Sequence, residues 1–180
     1  MERALLVRID WDRTAIPLRE AKKYYTLHVG PEAEFPFGRK GLALAGAWKQ
    51  LATPGCAGML ILDGDVAIDP HDTTAMLTAI QAEPEAVHAA PVKLWPASTK
   101  RDGCVWGHGR GDFSTEDPDD PDLFGFSFTY LPRKLIEASI KAGLPEWSYP
   151  NVDRMTRKTA QQMKLPVRVV RQATPKHLNY

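Results

Sequence analysis

The stretch AGMLILDGD, residues 57–65, constrains the fold of this chain more than any other part of the sequence. Six apolar residues of strand length are typical of a central strand that is covered on both faces. Residues two apart in a strand face the same side, so Asp63 and Asp65 are expected to project together, and Gly64 lets another group approach the backbone. The pattern predicts either a ligand site at the carboxyl end of the strand or the plain polar end of a buried strand.

Strands and helices alternate on both sides of this stretch. Strands are predicted at residues 3–9, 24–30, 57–65, 85–95, 123–130 and 166–172, and helices at 37–52, 70–82, 131–143 and 152–164. Asp69 is the predicted N-cap of the helix that begins at Pro70. This order predicts an α/β fold with a mostly parallel central sheet and helices on both faces. A length of 180 residues predicts a single domain, 1–180.

The composition narrows the class of protein. Hydrophobic residues make up 43% of the chain and charged residues 25%, which is the ordinary globular range. No apolar run approaches the roughly 20 residues that span a bilayer, and the first residues do not resemble a secretory signal. Two cysteines, Cys56 and Cys104, are too few for a disulfide framework. We therefore expect a soluble cytoplasmic protein with reduced thiols and no membrane partner.

Charge is unevenly distributed along the sequence, although the formal net charge is only +1. No Lys or Arg occurs from Gln50 to Val92, whereas the segment Arg154–Lys176 contains seven cationic residues and no acidic one. Such a segment predicts either contact with a polyanion such as nucleic acid or a solvated amphipathic surface. The sequence leaves both interpretations open.

Residues 38–70, GRKGLALAGAWKQLATPGCAGMLILDGDVAIDP, resemble part of the GT-A glycosyltransferases. In that family a basic, glycine-containing helix leads through a small-residue turn to an apolar strand that carries an Asp-x-Asp motif. The resemblance extends more loosely through residues 124–138 and 145–153 to a histidine in the last segment, TPKHLNY. It implies a GT-A-like, Rossmann-type sandwich and a metal-dependent hexosyltransferase that moves a sugar from a nucleoside-diphosphate sugar to an acceptor hydroxyl.

The resemblance also implies a metal site. Asp65 would bind the Mn²⁺ or Mg²⁺ ion that bridges the donor diphosphate, and Asp63 would contact the donor ribose or reach the ion through water. His177 would be the third protein ligand. Carboxylates, water and imidazole are compatible ligands of Mn²⁺. Without the resemblance, a histidine so close to the end of the sequence would be expected in a solvated tail.

Donor binding is predicted at the same edge of the sheet. Asp10 and Trp11 follow the first strand, where a carboxylate accepts from a base N–H and an indole offers a stacking surface, although Trp11 equally suits the core. Arg39 and Lys40, at the start of a helix, are predicted either to contact phosphate or sugar, together with Asp63 and Gly64, or to be solvated surface charges. A UDP-sugar is the leading expectation for the donor.

The resemblance implies that the catalytic base is an acidic residue near the start of the helix that follows the acceptor region, as in inverting GT-A enzymes. Asp153 occupies that position, with Glu146 in reserve. Asp153 also suits a structural role, because an acidic residue in the first turn of a helix binds free N–H groups and complements the helix dipole. The family pattern of a Glu-Asp pair is absent, which leaves the stereochemical outcome open.

The acceptor and two rival functions remain open at this level. A small transferase with the basic segment Arg154–Lys176 suits a hydroxymethylated pyrimidine in DNA, as in phage-type enzymes, and a phage-encoded protein would act in the host cytoplasm. Alternatively, LILDGDVAI resembles the motif of haloacid-dehalogenase-type phosphatases, with Asp63 as the nucleophile. The third interpretation is a non-catalytic nucleic-acid-binding module.

Overall fold

A computed structural model describes residues 3–9, 25–29, 40–52, 54–63, 66–93, 104–105, 124–147 and 151–177 of the chain. The described strands are β1 (Arg3–Ile9), β2 (Tyr25–Val29), β3 (Cys56–Asp63), β4 (Val66–Ala67), β5 (Val87–Ala89), β6 (Val92–Lys93), β7 (Cys104–Val105), β8 (Phe128–Pro132), β9 (Val167–Val169) and β10 (Lys176–His177). The described helices are α1 (Lys40–Leu51), α2 (Pro70–Ala82), α3 (Arg133–Lys141) and α4 (Asn151–Gln162), with a 3₁₀ turn at Leu144–Glu146.

The described strands form two sheets. The larger has six strands in the order β2-β1-β3-β8-β5-β9, and the smaller has four in the order β4-β10-β6-β7. In the larger sheet β1 is parallel to β2 and β3, and β5 is parallel to β9, but β8 is antiparallel to both of its neighbours, β3 and β5. In the smaller sheet β10 is antiparallel to β4 and parallel to β6, and β6 is antiparallel to β7.

The prediction of a mostly parallel sheet was not borne out, because both sheets are mixed and the smaller one is mostly antiparallel. A parallel neighbour requires a crossover connection, usually a helix, whereas an antiparallel strand can follow any loop. β8 follows residues 96–122, whose sequence is rich in Gly, Pro, Asp and Ser and predicts no helix, so the alternation of strands and helices carried no information about the direction of β8. The outcome is an α/β fold with a reversed strand in the middle of the larger sheet.

Helices cover both faces of the larger sheet. On one face, Met59 and Ile61 of β3 belong to a buried cluster with residues of α1, α3 and α4. On the other face, Leu60 and Leu62 pack in a second cluster that includes Met76 of α2. Burial on both sides explains why β3 is an almost unbroken apolar run. Fully burying each of these side chains stabilises the fold by about 1.5–3 kcal/mol.

Local sequence determines where α2 begins. Asp69 is the N-cap, as predicted, and its Oδ1 accepts from the Asp72 N–H at 2.8 Å. Asp72 Oδ2 accepts from the Asp69 N–H at 3.0 Å, which completes a reciprocal capping box. The predicted bounds of this helix, 70–82, were confirmed.

The short strands were not predicted from the sequence. β4 and β10 have two residues each, and the predicted strand at 85–95 contains two separate strands, β5 and β6. None of the helices that the structure describes has the length and hydropathy needed to cross a bilayer.

Candidate functional site

Three parallel strands of the larger sheet end together at one edge. Ile9, the last residue of β1, is paired with Val29 at the end of β2 and with Asp63 at the end of β3. The carboxyl edge of an open α/β sheet is where ligands bind. Asp10 follows Ile9 in the sequence and Gly64 follows Asp63, so the chain leads from these strand ends directly into predicted donor-binding residues.

Asp63 is buried at this edge, with 4% of its surface exposed. Because side chains alternate along a strand, Asp63 lies on the same face of β3 as Met59 and Ile61, the face that packs against α1. Its Oδ1 accepts a hydrogen bond from Lys40 Nζ at 2.6 Å, and this ion pair is almost fully shielded from solvent. The backbone N–H of Asp63 donates to the Ser127 carbonyl at 3.0 Å. Asp63 is therefore held both at its backbone and at its side chain.

Lys40 is the only charged residue between positions 40 and 48 and is itself only 2% exposed. Its Nζ lies 5.3 Å from the centre of the Phe126 ring, over the ring face. The adjacent Gly41 donates its N–H to the Trp147 carbonyl at 3.3 Å, and a Cβ at this glycine would lie 2.0 Å from the Leu144 carbonyl oxygen. This close backbone approach fixes the first turn of α1, and with it the root of the Lys40 side chain.

Asp153 lies in the first turn of α4 and is also 4% exposed. Its Oδ2 accepts from the Phe126 N–H at 3.3 Å, whereas Oδ1 is buried and has no hydrogen-bond partner among the described residues. Phe126 and Ser127 are neighbours in the sequence, so the short segment before β8 contacts both Asp63 and Asp153. The structure thus brings together two predicted site residues that are 90 positions apart in the sequence.

Strand pairing in the smaller sheet determines which residues the backbone of His177 lies beside. β10 is antiparallel to β4, with His177 opposite Val66 and Lys176 opposite Ala67. Val66 directly follows Asp65 in the sequence. Residues in register across an antiparallel pair have Cα atoms about 4.5–5.5 Å apart. The backbone of His177 therefore lies beside β4, which begins one residue after Asp65 in the sequence.

The predicted metal and donor ligands fall largely outside the described residues. This applies to Asp10, Trp11, Arg39, Gly64 and Asp65, and of His177 only the backbone is described. Among the side chains that are described, no three His, Cys, Asp or Glu residues come together. The metal ligands and the donor contacts remain predictions.

Sequence reasoning placed Lys40 among residues that contact phosphate or sugar and missed its pairing with Asp63. The signal was present in the sequence, since Lys40 is followed by eight uncharged and mostly apolar residues, and a cation buried among such residues requires a partner. Nothing in the sequence identified which acidic residue that partner is, because Lys40 and Asp63 are 23 positions apart.

The basic segment Arg154–Lys176 is only partly an open cationic surface. Arg168 binds Glu83 through two hydrogen bonds, Nε to Oε2 at 2.8 Å and Nη2 to Oε1 at 3.1 Å. Arg154 and Lys158 are exposed and four residues apart on α4, the helix that also carries Asp153. The positive charge that remains exposed on α4 therefore lies on the same helix as the predicted base.

A separate apolar groove of about 470 Å³ lies between α1 and α3. Leu42, Ala45, Trp48 and Ile140 line it, and none of the predicted site residues does. Lys49, Glu137 and Lys141 also belong to its lining, but the surface of the groove is mainly apolar. The groove is not the candidate site.

The fold matches two solved structures along nearly its whole length. The structure titled "Crystal Structure of A197 from STIV" has a TM-score of 0.62 at 15% sequence identity, over 99% of this chain and 86% of that one. A glycosyltransferase involved in the glycosylation of the major capsid of PBCV-1 has a TM-score of 0.51 at 14% identity, over 97% of this chain and 94% of that one.

The chain has a GT-A-like fold. No protein-family model matches the sequence, and no curated protein sequence matches it. At these identities the structural matches establish the fold alone. The GT-A resemblance in the sequence and the structural matches therefore agree on the architecture, and the chemistry has to be argued from the residues at the edge of the sheet.

Proposed function

We propose that this protein is a glycosyltransferase that transfers a sugar from a nucleoside-diphosphate donor, with the donor bound at the carboxyl edge of β2, β1 and β3. The observation that carries the proposal is the register of Val29, Ile9 and Asp63, which ends three parallel strands at one edge. The GT-A-like fold supports it, since one of the matching structures is a glycosyltransferase.

In this proposal Asp65 and His177 hold a divalent cation, Mn²⁺ or Mg²⁺. The choice of ligands rests on the resemblance to the GT-A family, and the structure adds only that the backbone of His177 lies opposite Val66, which follows Asp65 in the sequence. When bound, the ion supplies Lewis-acid stabilisation of the negative charge on the departing nucleoside diphosphate. Carboxylate and imidazole ligands fit Mn²⁺ better than Mg²⁺, which prefers oxygen ligands.

Asp63 has an indirect role in this proposal. Its Oδ1 already lies 2.6 Å from the Lys40 ammonium, so a metal ion on the same oxygen would be repelled by a second positive charge nearby. A carboxylate fixed in this way suits contact with the donor ribose or with a water on the metal. The ion pair also anchors the end of β3, from which Gly64 and Asp65 follow in the sequence.

Asp153 is the proposed general base. As the acceptor oxygen bonds to the anomeric carbon and the bond from that carbon to the diphosphate breaks, the hydroxyl proton passes to Oδ1 of Asp153. This oxygen suits the role because it has no hydrogen-bond partner among the described residues, whereas Oδ2 is held by the Phe126 N–H. The hydrogen bond at Oδ2 fixes the orientation of the carboxylate toward the acceptor.

The acceptor is the least constrained part of the proposal. Exposed Arg154 and Lys158 on the helix of Asp153 support an anionic acceptor such as hydroxymethylated DNA. A protein acceptor is the second candidate, because the PBCV-1 enzyme with the same fold takes part in glycosylating a capsid protein. Incubation with labelled nucleotide sugars and either plain DNA, hydroxymethylated DNA or a protein mixture would identify the acceptor by transfer of the label.

Donor binding can be tested before the acceptor is known. Mn²⁺ with UDP at about 100 times its Kd should raise the melting temperature by about 5–10 °C. Asp65→Asn should abolish the shift. Glu85→Gln is a matched control, because it removes one carboxylate from an exposed turn before β5, at the opposite edge of the sheet, and should leave the shift unchanged. No stabilisation by any nucleoside diphosphate would contradict the proposal.

The same geometry argues against the phosphatase interpretation. A nucleophilic aspartate must offer an oxygen to phosphorus, whereas Oδ1 of Asp63 is ion-paired with the Lys40 ammonium at 2.6 Å. A phosphatase should hydrolyse p-nitrophenyl phosphate and lose this activity on Asp63→Asn; a glycosyltransferase should not hydrolyse it. A non-catalytic nucleic-acid binder would hold DNA without responding to nucleotide and Mn²⁺, and would lose affinity on Arg154→Ala and Lys158→Ala.

A further inference from the structure

The apolar groove between α1 and α3 is formed by two antiparallel helices. The start of α1 contacts the chain just beyond α3, where the Gly41 N–H donates to the Trp147 carbonyl at 3.3 Å. The end of α1 contacts the start of α3, where the Arg133 guanidinium lies 5.1 Å from the centre of the Trp48 ring. The groove has a volume of about 470 Å³, which is within the size range of ligand-binding clefts.

One face of α1 forms the floor of this groove. Leu42, Ala45, Gly46 and Lys49 all line it, and their spacing of i, i+3, i+4 and i+7 places them on the same side of the helix. Leu42 and Gly46 are partly exposed, as is Ile140, which lines the groove from α3. Exposed apolar surface with a charged rim is typical of an interaction site.

Gly46 is not required by packing among the described residues. It lies in the interior of α1, where glycine is less favourable than alanine. A Cβ at Gly46 would meet no described atom within 4 Å, whereas a Cβ at Gly41 would clash with the Leu144 carbonyl oxygen. The missing side chain at Gly46 allows the backbone of an occupant to approach α1 closely.

Both ends of the groove are cationic. Lys49 lies in the last turn of α1 and Lys141 in the last turn of α3, so the antiparallel arrangement places them at opposite ends. Both are exposed, and neither makes an ion pair with another described residue. Glu137, which also lines the groove, is bound to Arg133 at 3.2 Å. The rim is therefore complementary to an occupant with an acidic group at each end.

The length and shape of the groove suit a helix. From Leu42 to Lys49, α1 rises seven residues, which is about 10 Å. In an occupying helix the same length separates residues i and i+7, which lie on one face two turns apart. A second copy of this chain would present the same concave surface, and two concave surfaces do not fill each other. A helix that lies in a groove between two others presents a convex apolar face.

We propose that the groove between α1 and α3 is a docking surface for one amphipathic helix of a partner protein. This helix has acidic residues seven positions apart, which face Lys49 and Lys141, and apolar residues between them, which lie over Gly46. The inference does not depend on the proposed function, because no described residue of the predicted site lines the groove.

A display selection tests the chemistry of the occupant without a prior choice of sequence. Helical peptides of about 20 residues, randomised along one face, are selected on the wild-type protein, and those that also bind Gly46→Phe are removed. The added ring points into open space, so it fills the groove while the melting temperature stays near that of wild type. We expect the remaining peptides to be enriched in Asp or Glu at positions i and i+7 and in apolar residues at i+3 and i+4.

The affinity of the tightest peptide then tests the contacts. Its Kd, measured by fluorescence anisotropy, should rise at least about tenfold in Gly46→Phe. It should change by less than about twofold in Gln50→Phe, which adds the same ring to α1 at an exposed position outside the groove. Lys49→Glu combined with Lys141→Glu should also raise it at least about tenfold.

A matched charge reversal separates local contacts from the effect of net charge. Lys158→Glu combined with Lys164→Glu makes the same change in charge at two exposed lysines outside the groove, and should leave the Kd within about threefold of wild type. Equal losses of affinity in the two double variants would overturn the proposal. So would a selection that yields no peptide excluded by Gly46→Phe, or one that yields basic residues at i and i+7.

Other occupants are distinguished by two further measurements. If the wild-type protein sediments as a dimer and Gly46→Phe as a monomer, the occupant is a second copy of the chain and the proposal is wrong. If dodecanoate binds the wild type but not Gly46→Phe, and no peptide is selected, the groove binds a small apolar anion instead.

Discussion

Asp63 and Asp153 are buried to the same extent and contact the same short segment before β8, but their side chains are satisfied in opposite ways. Asp63 has a full opposite charge at 2.6 Å, from Lys40. Asp153 has one hydrogen bond, from the Phe126 N–H, and its other oxygen has no partner among the described residues. Both are predicted site residues, and their different surroundings suit them to different roles.

The contrast shows how burial and pairing together indicate a role. A buried carboxylate that is paired with an ammonium fixes local geometry and has little capacity to accept a proton. A buried carboxylate oxygen without a partner costs free energy, and such atoms in native structures require an explanation in terms of function or of an unseen ligand. This contrast is the reason for proposing that Asp63 positions the end of β3 and that Asp153 takes the proton.

The largest effect on stability is expected from Lys40→Met. This substitution leaves Asp63 buried without its counter-charge, and breaking one side of a buried ion pair costs about 3–5 kcal/mol. Urea denaturation should show a correspondingly lower free energy of unfolding. Lys49→Met, an exposed lysine on the same helix, is the control and should change it by no more than about 0.5 kcal/mol.

Replacing both members of the pair sharpens this test. Lys40→Met combined with Asp63→Leu removes both charges, and apolar replacement of a buried pair is often neutral or stabilising. We expect the double variant to regain most of the free energy of unfolding that Lys40→Met loses. Its binding of UDP with Mn²⁺ should stay impaired. A double variant that binds the nucleotide as well as wild type would show that Asp63 has no part in the site.

The next largest effect is expected from Asp153→Asn, and it should appear in catalysis rather than in stability. The amide oxygen can still accept from the Phe126 N–H, but the side chain can no longer take a proton. We expect kcat for sugar transfer to fall about 10²–10⁴-fold with KM for the donor nearly unchanged. The free energy of unfolding should stay within about 1 kcal/mol of wild type.

Glu146→Gln provides the comparison for that variant. Glu146 is exposed in the 3₁₀ turn before α4, and we expect its loss to change kcat by less than about twofold. If Glu146→Gln lost activity and Asp153→Asn kept it, the base would be Glu146, and Asp153 would be a structural residue that binds Phe126.

The smallest effect concerns His88, which also has a buried nitrogen without a described partner but lies on β5, away from the predicted site residues. Burial lowers the pKa of His88 below its ordinary value of 6.5, although its hydrogen bond to the Glu83 carbonyl acts in the opposite direction. The unfolded chain therefore binds a proton more readily, and stability should decrease as pH falls below about 6.5.

This pH dependence can be isolated by mutation. His88→Leu should flatten the decrease in the free energy of unfolding between about pH 7.5 and 5.5, whereas His71→Gln, at an exposed position on α2, should not. Equal slopes in the wild type and His88→Leu would contradict this explanation. Transfer activity should remain in His88→Leu, because His88 lies on β5, away from the predicted site residues.

Much of the fold was predictable because its signals are local. The unbroken apolar run identified β3, and Asp69 with Pro70 identified the start of α2. The reversed direction of β8 was missed because strand direction depends on pairing with β3 and β5, which are distant in sequence. β4 and β10 were missed because two residues are too few to show a period.

The candidate site was predictable only in part, for the same reason. Residue type and position after a strand or at a helix start indicated Asp63 and Asp153. Their surroundings depend on contacts between distant positions, Lys40 with Asp63 and Phe126 with Asp153, which no spacing in the sequence encodes.

The central claim is that Asp65 and His177 hold a divalent cation with a nucleoside diphosphate at the carboxyl edge of β3. The most direct measurement is the anomalous scattering of Mn²⁺ in crystals grown with UDP. We predict one strong peak within about 2.0–2.3 Å of a carboxylate oxygen of Asp65 and an imidazole nitrogen of His177, with diphosphate oxygens completing the shell. A peak at any other place, or UDP bound away from the ends of β1 and β3, would contradict the account.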